Sequence, residues 1–249
     1  MNKKKLLDKT ILNTRPLTKA LPLAKAIEAE GGRCIVLPSI EIIPVSIPNE
    51  NKLLTQVEES DFLLFVSQYA VQYTPRICFS SLVKKVAIGR ATAKALEQIG
   101  ISTDLIPEEP SSEGLLSLPI FESLEGKSVT IFRGKSGRTL LDETLQQRGA
   151  IVQEVILYER VLPVWTPEDY ALISQNTIDV ALGLSVDSLT YFFSQLKLSE
   201  KKRLLSVPWL VMSDRVAEQA KKLGIETIHI VSKGDVLRSL IQCCSFGTI

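Results

Sequence analysis

Apolar positions fall in short continuous runs rich in Val, Ile and Leu, each followed by a stretch of helical period. The runs "TILNT", "RCIVLP", "DFLLFVS", "KKVAIG", "TDLIPE", "SVTIFRG", "VQEVILYERV", "DVALGLS", "PWLVMS" and "TIHIVS" are predicted strands. Between them, "LTKALPLAKAIEAEGG", "RTLLDETLQQRG", "SLTYFFSQL" and "RVAEQAKKLG" carry apolar residues at helical spacing, and several end in the glycine that stops a helix. Pro22 falls near the start of the first of these helices, where proline is tolerated. Strands apolar at nearly every position, alternating with helices, imply an α/β chain with parallel sheets covered on both faces.

The pattern is written twice. "VKKVAIGRATAKALEQIGI" (83–101) overlays "VPWLVMSDRVAEQAKKLGI" (207–225), with Gly89 falling on Ser213. "ILNTRPLTKALPLAKAIEAEGGRCIVLPSIEIIPV" (11–45) overlays "TIFRGKSGRTLLDETLQQRGAIVQEVILYERVLPV" (130–164). "FLLFVSQYAVQYT" then overlays "VALGLSVDSLTYF", placing Ser67 on Ser185, and "PEEPSSEGL" has a weaker partner in "VSKGDVLRSL". Each copy holds an extended stretch longer than a single strand needs, "LPSIEIIPV" and "VILYERVLPV". If both cross from one sheet to another, they pair antiparallel as a two-stranded tether. Each domain then combines the first part of one copy with the second part of the other.

Composition narrows the function. A chain of 249 residues has room for one large domain or two ordinary ones, and 45% hydrophobic with 23% charged residues makes it core-forming. A net charge of +1 supplies no field for nucleic acid or an acidic membrane, so neither is an expected partner and any anion must be held by local devices. No stretch approaches the roughly 18 apolar residues that span a bilayer. The basic opening "MNKKKLLDKT" is followed by no apolar signal region, so a cytoplasmic location is expected and a periplasmic-type binding protein is not. Cys34, Cys78, Cys243 and Cys244 lack zinc spacing, and the single His229, in "IHIV", cannot complete a metal site with them and leaves Ser-His-Asp and Cys-His chemistry little support. Cys34 and Cys78 are read as core filling, and His229 as a strand-surface residue. "GKSGR" is no Walker loop, and no G-x-G-x-x-G follows a strand, so no nucleotide cofactor is expected.

Several small polar residues follow predicted strands, where open α/β sheets place helix N-termini and bind ligands. They are Ser67, Gly89 to Thr92, Ser111-Ser112, Gly134 to Gly137 and Ser185. Free N–H groups and the helix dipole bind anions there without formal charge, and Arg15, Arg133 and Arg138 lie in the same class of loop, able to add bidentate carboxylate contacts. Taken singly, each serine or threonine is an ordinary N-cap worth about 1 kcal/mol. Only convergence on one cleft would make them a binding site.

"ILNTRP", "LPSIEIIPV", "FVSQYAV", "VAIGRATAKALEQIGI", "PEEPSSEGLL", "FRGKSGRTLLDETLQQRGA" and "VILYERVLP" occur in this order. Their order and spacing, over nearly the whole chain, resemble the uroporphyrinogen-III synthase family. The resemblance implies two flavodoxin-like domains with parallel sheets, joined by a two-stranded antiparallel linker, with the active site in the cleft between them. Residues 1–38 and 165–249 would form a discontinuous first domain, 45–157 the second, and 39–44 and 158–164 the linker strands. The implied reaction is cyclisation of hydroxymethylbilane with inversion of the last pyrrole ring and loss of water, giving uroporphyrinogen III. The enzyme would be a cofactor-free lyase, a monomer in transient contact with the enzyme that makes hydroxymethylbilane. Departure of the substrate hydroxyl needs a proton, and an electron-rich pyrrole carbon then attacks; neither step needs a metal, a nucleotide or a covalent nucleophile.

By resemblance the proton donor is Tyr158, with Thr92 the second catalytic position. Substrate binding would fall to Arg15, Ser67, Gly89, Arg90, Ala91, Ser111, Ser112, Arg133, Gly134, Arg138 and Ser185. Without the resemblance, Tyr158 is a strand tyrosine packed at a domain junction. The chain departs from the family pattern at Ser213-Asp214-Arg215-Val216, where Gly-Pro-x-Thr is common, and at Leu184-Ser185-Val186-Asp187, where Thr-Ser-Pro-Ser is usual. Ser67-Gln68-Tyr69-Ala70-Val71 likewise replaces Ser-x-Asn-Ala-Val. Asp187 and Asp214 put negative charge near a site meant for carboxylates, and N-capping is the milder explanation for both. A non-catalytic module binding a tetrapyrrole or small anion on the same scaffold is the alternative.

Overall fold

The computed structural model describes residues 4–77, 79–136, 139–231 and 235–245; Cys78, Gly137 and Arg138 lie outside them. The chain opens with β1 (Thr10–Asn13), α1 (Leu17–Ala29), β2 (Arg33–Val36), β3 (Glu41–Pro44) and α2 (Glu50–Glu58). It continues through β4 (Phe62–Phe65), α3 (Gln68–Gln72), β5 (Lys84–Ala87), α4 (Arg90–Gln98), α5 (Ser112–Leu116) and β6 (Ser128–Gly134). Next come α6 (Leu140–Gln147), β7 (Ile151–Val161), α7 (Pro167–Gln175), β8 (Val180–Leu182) and α8 (Val186–Gln195). The last elements are α9 (Leu198–Leu205), β9 (Trp209–Val211), α10 (Asp214–Leu223), β10 (Ile228–Ile230) and α11 (Val236–Ser245).

The strands form two five-stranded sheets, ordered β10-β9-β8-β1-β2 and β3-β7-β6-β4-β5. Parallel ladders join β1 to β2 and β8, β9 to β8 and β10, β4 to β5 and β6, and β6 to β7. The first sheet draws β1 and β2 from the first sequence copy and β8 to β10 from the second; the other draws β6 and β7 from the second copy and β4 and β5 from the first. The chain divides into two compact units, residues 1–41 with 161–249 and residues 42–160. No helix among the described residues is long and apolar enough to cross a membrane.

Two-sided burial explains the continuous apolar runs. In the first sheet Leu12, Ala181, Trp209 and Val211 enter one core, while Ile11, Val180, Leu182 and Leu210 enter the core on the opposite face. In the second, Leu63, Phe65 and Phe132 face one core and Phe62, Leu64, Val129 and Ile131 the other. Side chains alternate along a strand, so covering both faces makes every position apolar.

Three local expectations change. "TDLIPE" contributes only a single parallel bridge, Leu105 beside Val86, because Pro107 cannot donate to a ladder. "LPSIEIIPV" yields only the short β3, since Pro38 and Pro44 remove donors from its two ends, whereas β7 runs for 11 residues. Pro22 stands at the sixth residue of α1, past the first turn, where its missing N–H removes one hydrogen bond from the helix.

Cys34 on β2 packs against the core that holds Ile11 and Leu182. Burial pushes its thiol up from 9.0 to about 11; a hydrogen bond with Asn13 opposes the rise and Glu28 adds to it. The folded chain thus keeps this proton after the unfolded chain has released it, so the stabilisation is complete below pH 9.0 and is lost as pH climbs towards about 11. Native protein at pH 8 is expected to leave Cys34 unmodified by iodoacetamide over a time that fully labels urea-unfolded protein, read by peptide mass.

Candidate active site

The candidate residues of the second unit gather around the ends of β4, β5 and β6. Ser67 follows β4 and caps α3: its backbone is extended and its Oγ accepts the Ala70 N–H at 3.0 Å. That Oγ also lies 3.0 Å from the phenol oxygen of Tyr158, 91 residues further along the chain. Gln68 then reaches from α3 to α4, its Nε2 donating to the Ala91 carbonyl at 3.1 Å.

Tyr158 is placed by an irregularity in the sheet. Along β6 and β7 the register runs evenly until Arg133 opposes Ile156, then skips Leu157 so that Gly134 opposes Tyr158. The freed Leu157 carbonyl accepts the Val45 N–H at 2.9 Å, next to β3, and the Tyr158 carbonyl accepts the Lys135 N–H at 2.8 Å. The ring lies directly on Gly134, where a Cβ would stand 2.5 Å from Cε2 and 2.6 Å from Cζ. Tyr69 and Tyr73 flank it, with ring centroids at 5.7 and 6.4 Å, leaving Tyr158 only 4% exposed. Residue type, neighbour and bulge together fix one position for the phenol.

Gly89 closes the group. Its φ of −177° is open to any residue, so conformation does not require glycine. Packing does, because a Cβ there would meet Pro110 Cβ at 2.7 Å. This contact seats the loop whose Ser111 caps α5, accepting the Gly114 N–H at 2.9 Å, with Ser112 as the first helical residue. Ser213, at the matching place in the other copy, instead caps α10 by accepting the Val216 N–H. Arg90 and Ala91 are exposed on the first turn of α4, whereas Thr92 turns inward at 4% exposure. Its counterpart Val216, at 6%, belongs to the first unit's core.

Arg133 is not a cation held ready for substrate. Its guanidinium is 8% exposed and Nη1 contacts Asp142 Oδ2 at 2.5 Å and Glu154 Oε1 at 2.6 Å, so its charge is spent inside the unit. Arg133→Ala leaves the half-buried Asp142 without that cation. A loss of about 2–3 kcal/mol is expected in urea unfolding, below the full cost of breaking a buried pair because Glu154 is 44% exposed and can turn to water. Arg138, read alongside it, lies outside the described residues.

Arg15 and Ser185 belong to the first unit. Arg15 is half-buried before α1, and Lys19, one turn on, is held below the usual lysine range by burial and then by Arg15 itself. Ser185 caps α8 through the Ser188 N–H at 3.0 Å. Asp187 and Asp214 are first-turn residues of α8 and α10, complementing the helix dipoles, and the caps are Ser185 and Ser213. Sequence reading missed a buried hydroxyl cluster here. Ser188 Oγ lies 3.0 Å from Thr14 Oγ1 and 2.8 Å from Ser39 Oγ, while Thr14 Oγ1 donates to the Leu182 carbonyl at 2.7 Å. In the repeat Ser39 overlays Tyr158 and Arg15 overlays Gly134, so the first unit has neither the phenol nor the bare glycine beneath it. That overlay was the available signal. Among the described residues no cluster of His, Cys, Asp and Glu has the arrangement to hold a metal ion.

Parallel sheets with glycine and hydroxyl loops at the strand ends define an open-sheet α/β protein, a class whose ligands bind at those ends. Residues 22–241 match the family model described as "Uroporphyrinogen-III synthase HemD". The chain belongs to the uroporphyrinogen-III synthase family. It is 30% identical to the uroporphyrinogen-III synthase of Escherichia coli K12, covering 93% of this chain and 99% of that one. It is 31% identical to that of Synechococcus elongatus over 87% and 84% of the two chains. Among solved structures, a mutant uroporphyrinogen III synthase of Thermus thermophilus superposes with a TM-score of 0.63 at 16% identity, covering 94% of this chain and 96% of that one. The Helicobacter pylori enzyme gives 0.62 at 15%, covering 96% and 100%. At such identity the two structures speak for the fold: mixed α/β with mainly parallel sheets.

Proposed function

We propose that this chain is a cofactor-free lyase that closes hydroxymethylbilane, inverting the last pyrrole ring and expelling water, to give uroporphyrinogen III. The observation that carries the reading is the Ser67–Tyr158 hydroxyl pair, held at 3.0 Å where helices begin after parallel strands. A phenol so placed can supply the proton that the departing hydroxyl requires. Thr92, buried on the first turn of α4, is the second catalytic position in this reading. Ser67, Gly89, Arg90, Ala91, Ser111, Ser112 and Gly134 supply backbone and small polar contacts to substrate, and Arg15 and Ser185 are the substrate-binding positions carried by the first unit.

The sheet order β2-β1-β8-β9-β10 supports reading the first unit as flavodoxin-like, and β5-β4-β6-β7 begins the second in the same manner. Residues 1–38 with 165–249 and 45–157 are then the domains. Segments 39–44 and 158–164 are the linker strands, paired antiparallel, and the neighbouring places of β3 and β7 in the sheet support that pairing. The protein works as a cytoplasmic monomer that takes its unstable substrate from the enzyme producing it.

The test is incubation with freshly made hydroxymethylbilane, followed by oxidation and separation of uroporphyrin isomers. Spontaneous closure gives isomer I; isomer III is the expected product, and its absence overturns the reading. Tight binding of the tetrapyrrole without turnover would favour the non-catalytic module. With a net charge of +1, carboxylates are held by backbone N–H groups and a few cations rather than a broad basic surface. Arg15→Ala is therefore expected to weaken binding by about tenfold at most, equivalent to about 1.4 kcal/mol, with a shallow salt dependence. Titration at low and physiological salt checks both.

A further inference from the structure

We propose that Ser67, rather than Tyr158, is the group that hands the proton to the departing hydroxyl, and that Tyr158 replaces the proton through the hydrogen bond joining the two. The inference deepens the cyclase reading and rests on it. Tyr158 is 4% exposed and lies under Tyr69 and Tyr73, whereas Ser67 is half-buried at the start of α3. Of the two oxygens, the serine is the one a substrate can meet. A hydroxyl has one proton and two lone pairs. The Ala70 N–H occupies one lone pair of Ser67 Oγ at 3.0 Å, and the phenol oxygen lies 3.0 Å from the same atom; either hydroxyl can donate in that pair, and the relay takes the arrangement in which the phenol proton occupies the serine's other lone pair. Both acceptor sites are thus filled from the protein side, which leaves the serine O–H to donate outward.

The step balances without a co-reactant. The C–O bond of the substrate's hydroxymethyl group breaks, its electron pair stays on oxygen, and the Ser67 proton joins that oxygen so that water leaves. The phenol proton of Tyr158 passes to Ser67 Oγ, leaving a phenolate, while the Ala70 N–H stabilises charge on the serine during the transfer. The substituted α-carbon of the last pyrrole ring then bonds to the electrophilic carbon, the bond from that ring carbon to its original methylene breaks and leaves the methylene electrophilic, and the ring's free α-carbon bonds to it, so that the ring is inverted. When that ring regains aromaticity it sheds a proton, which returns through Ser67 to the phenolate. Neither residue is consumed.

The arrangement occurs in one copy only. Ser185, which overlays Ser67, also caps its helix, but the residue overlaying Tyr158 is Ser39, whose Oγ is bonded to Ser188 and the Thr14 carbonyl. A capping serine in this fold therefore does not need a hydroxyl partner behind it. The partner at Ser67 calls for a separate reason, and the relay supplies one.

A double-mutant cycle on the intact protein tests the relay, with kcat and KM followed by isomer III formation. Ser67→Asn preserves the helix cap while removing the hydroxyl, so the melting temperature is expected to stay near the parent value. Its kcat is expected to fall about a hundredfold with little change in KM, as in Tyr158→Phe, and the double variant is expected to fall no further than either single one. Ser67→Thr, which keeps both cap and hydroxyl, is expected to recover most of the rate lost in Ser67→Asn. A Ser67→Asn protein with near-parental kcat would overturn the relay, as would a double variant whose losses multiply. If the unmutated protein forms no isomer III, the cyclase reading itself has failed, and that outcome is distinct from either of these.

Discussion

Tyr158→Phe is expected to lower kcat for isomer III formation about a hundredfold or more, equivalent to roughly 3 kcal/mol of barrier, with the fold intact. The substitution removes one oxygen from a ring that the surrounding core holds on several sides. The ring contacts with Gly134, Tyr69 and Tyr73 involve carbon, so phenylalanine fills the same volume. What disappears is the hydrogen bond to Ser67, and Ser67 keeps its cap through the Ala70 N–H. The loss of one neutral hydrogen bond costs about 1 kcal/mol of stability, well below the kinetic effect. Stopped assays on fresh hydroxymethylbilane, read beside a thermal melt, separate the two. A tyrosine present for packing alone would leave kcat unchanged and lower only the melting temperature.

Gly134→Ala is expected to cost about 3 kcal/mol of stability and to lower kcat at least as far as Tyr158→Phe. The added methyl has nowhere to go. At 2.5 Å from Cε2 it overlaps the tyrosine ring, while β6 is held by its ladders to β4 and β7. The ring must therefore move, and the phenol leaves Ser67 as it does. Ala at this place also tests whether position rather than chemistry matters, because every reacting oxygen remains present. Urea unfolding gives the stability change and isomer analysis the rate. A variant of parental stability and rate would mean that the ring yields easily and that its placement is unimportant.

Local chemistry carried much of the reading. Continuous apolar runs located most strands because both faces of each sheet are covered. Serine after a predicted strand located the starts of α3, α5 and α8, since such a cap needs only a residue three positions on. The same logic was legible but not drawn at Thr166-Pro167-Glu168-Asp169, whose reciprocal capping box begins α7. It misassigned Asp187 and Asp214, because a serine one or two positions earlier had already taken the cap.

By itself, then, the sequence determined everything set by neighbours along the chain: the alternation of strand and helix, the doubled plan, the near-zero charge, and hydroxyls at the helix starts. Only the tertiary structure decided what each residue faces. Arg133 reads as a loop cation able to bind carboxylate until Asp142 and Glu154 converge on it, and Gly89 reads as one of several post-strand residues until Pro110 arrives beside it. The Ser67–Tyr158 bond spans 91 residues and exists because one skipped position between β6 and β7 aims the ring at Gly134. Backbone propensity and capping act over a few residues and can be read from a string of letters. Burial, ion pairing and the approach of one side chain to another depend on which distant segments share a sheet, and no local pattern encodes that.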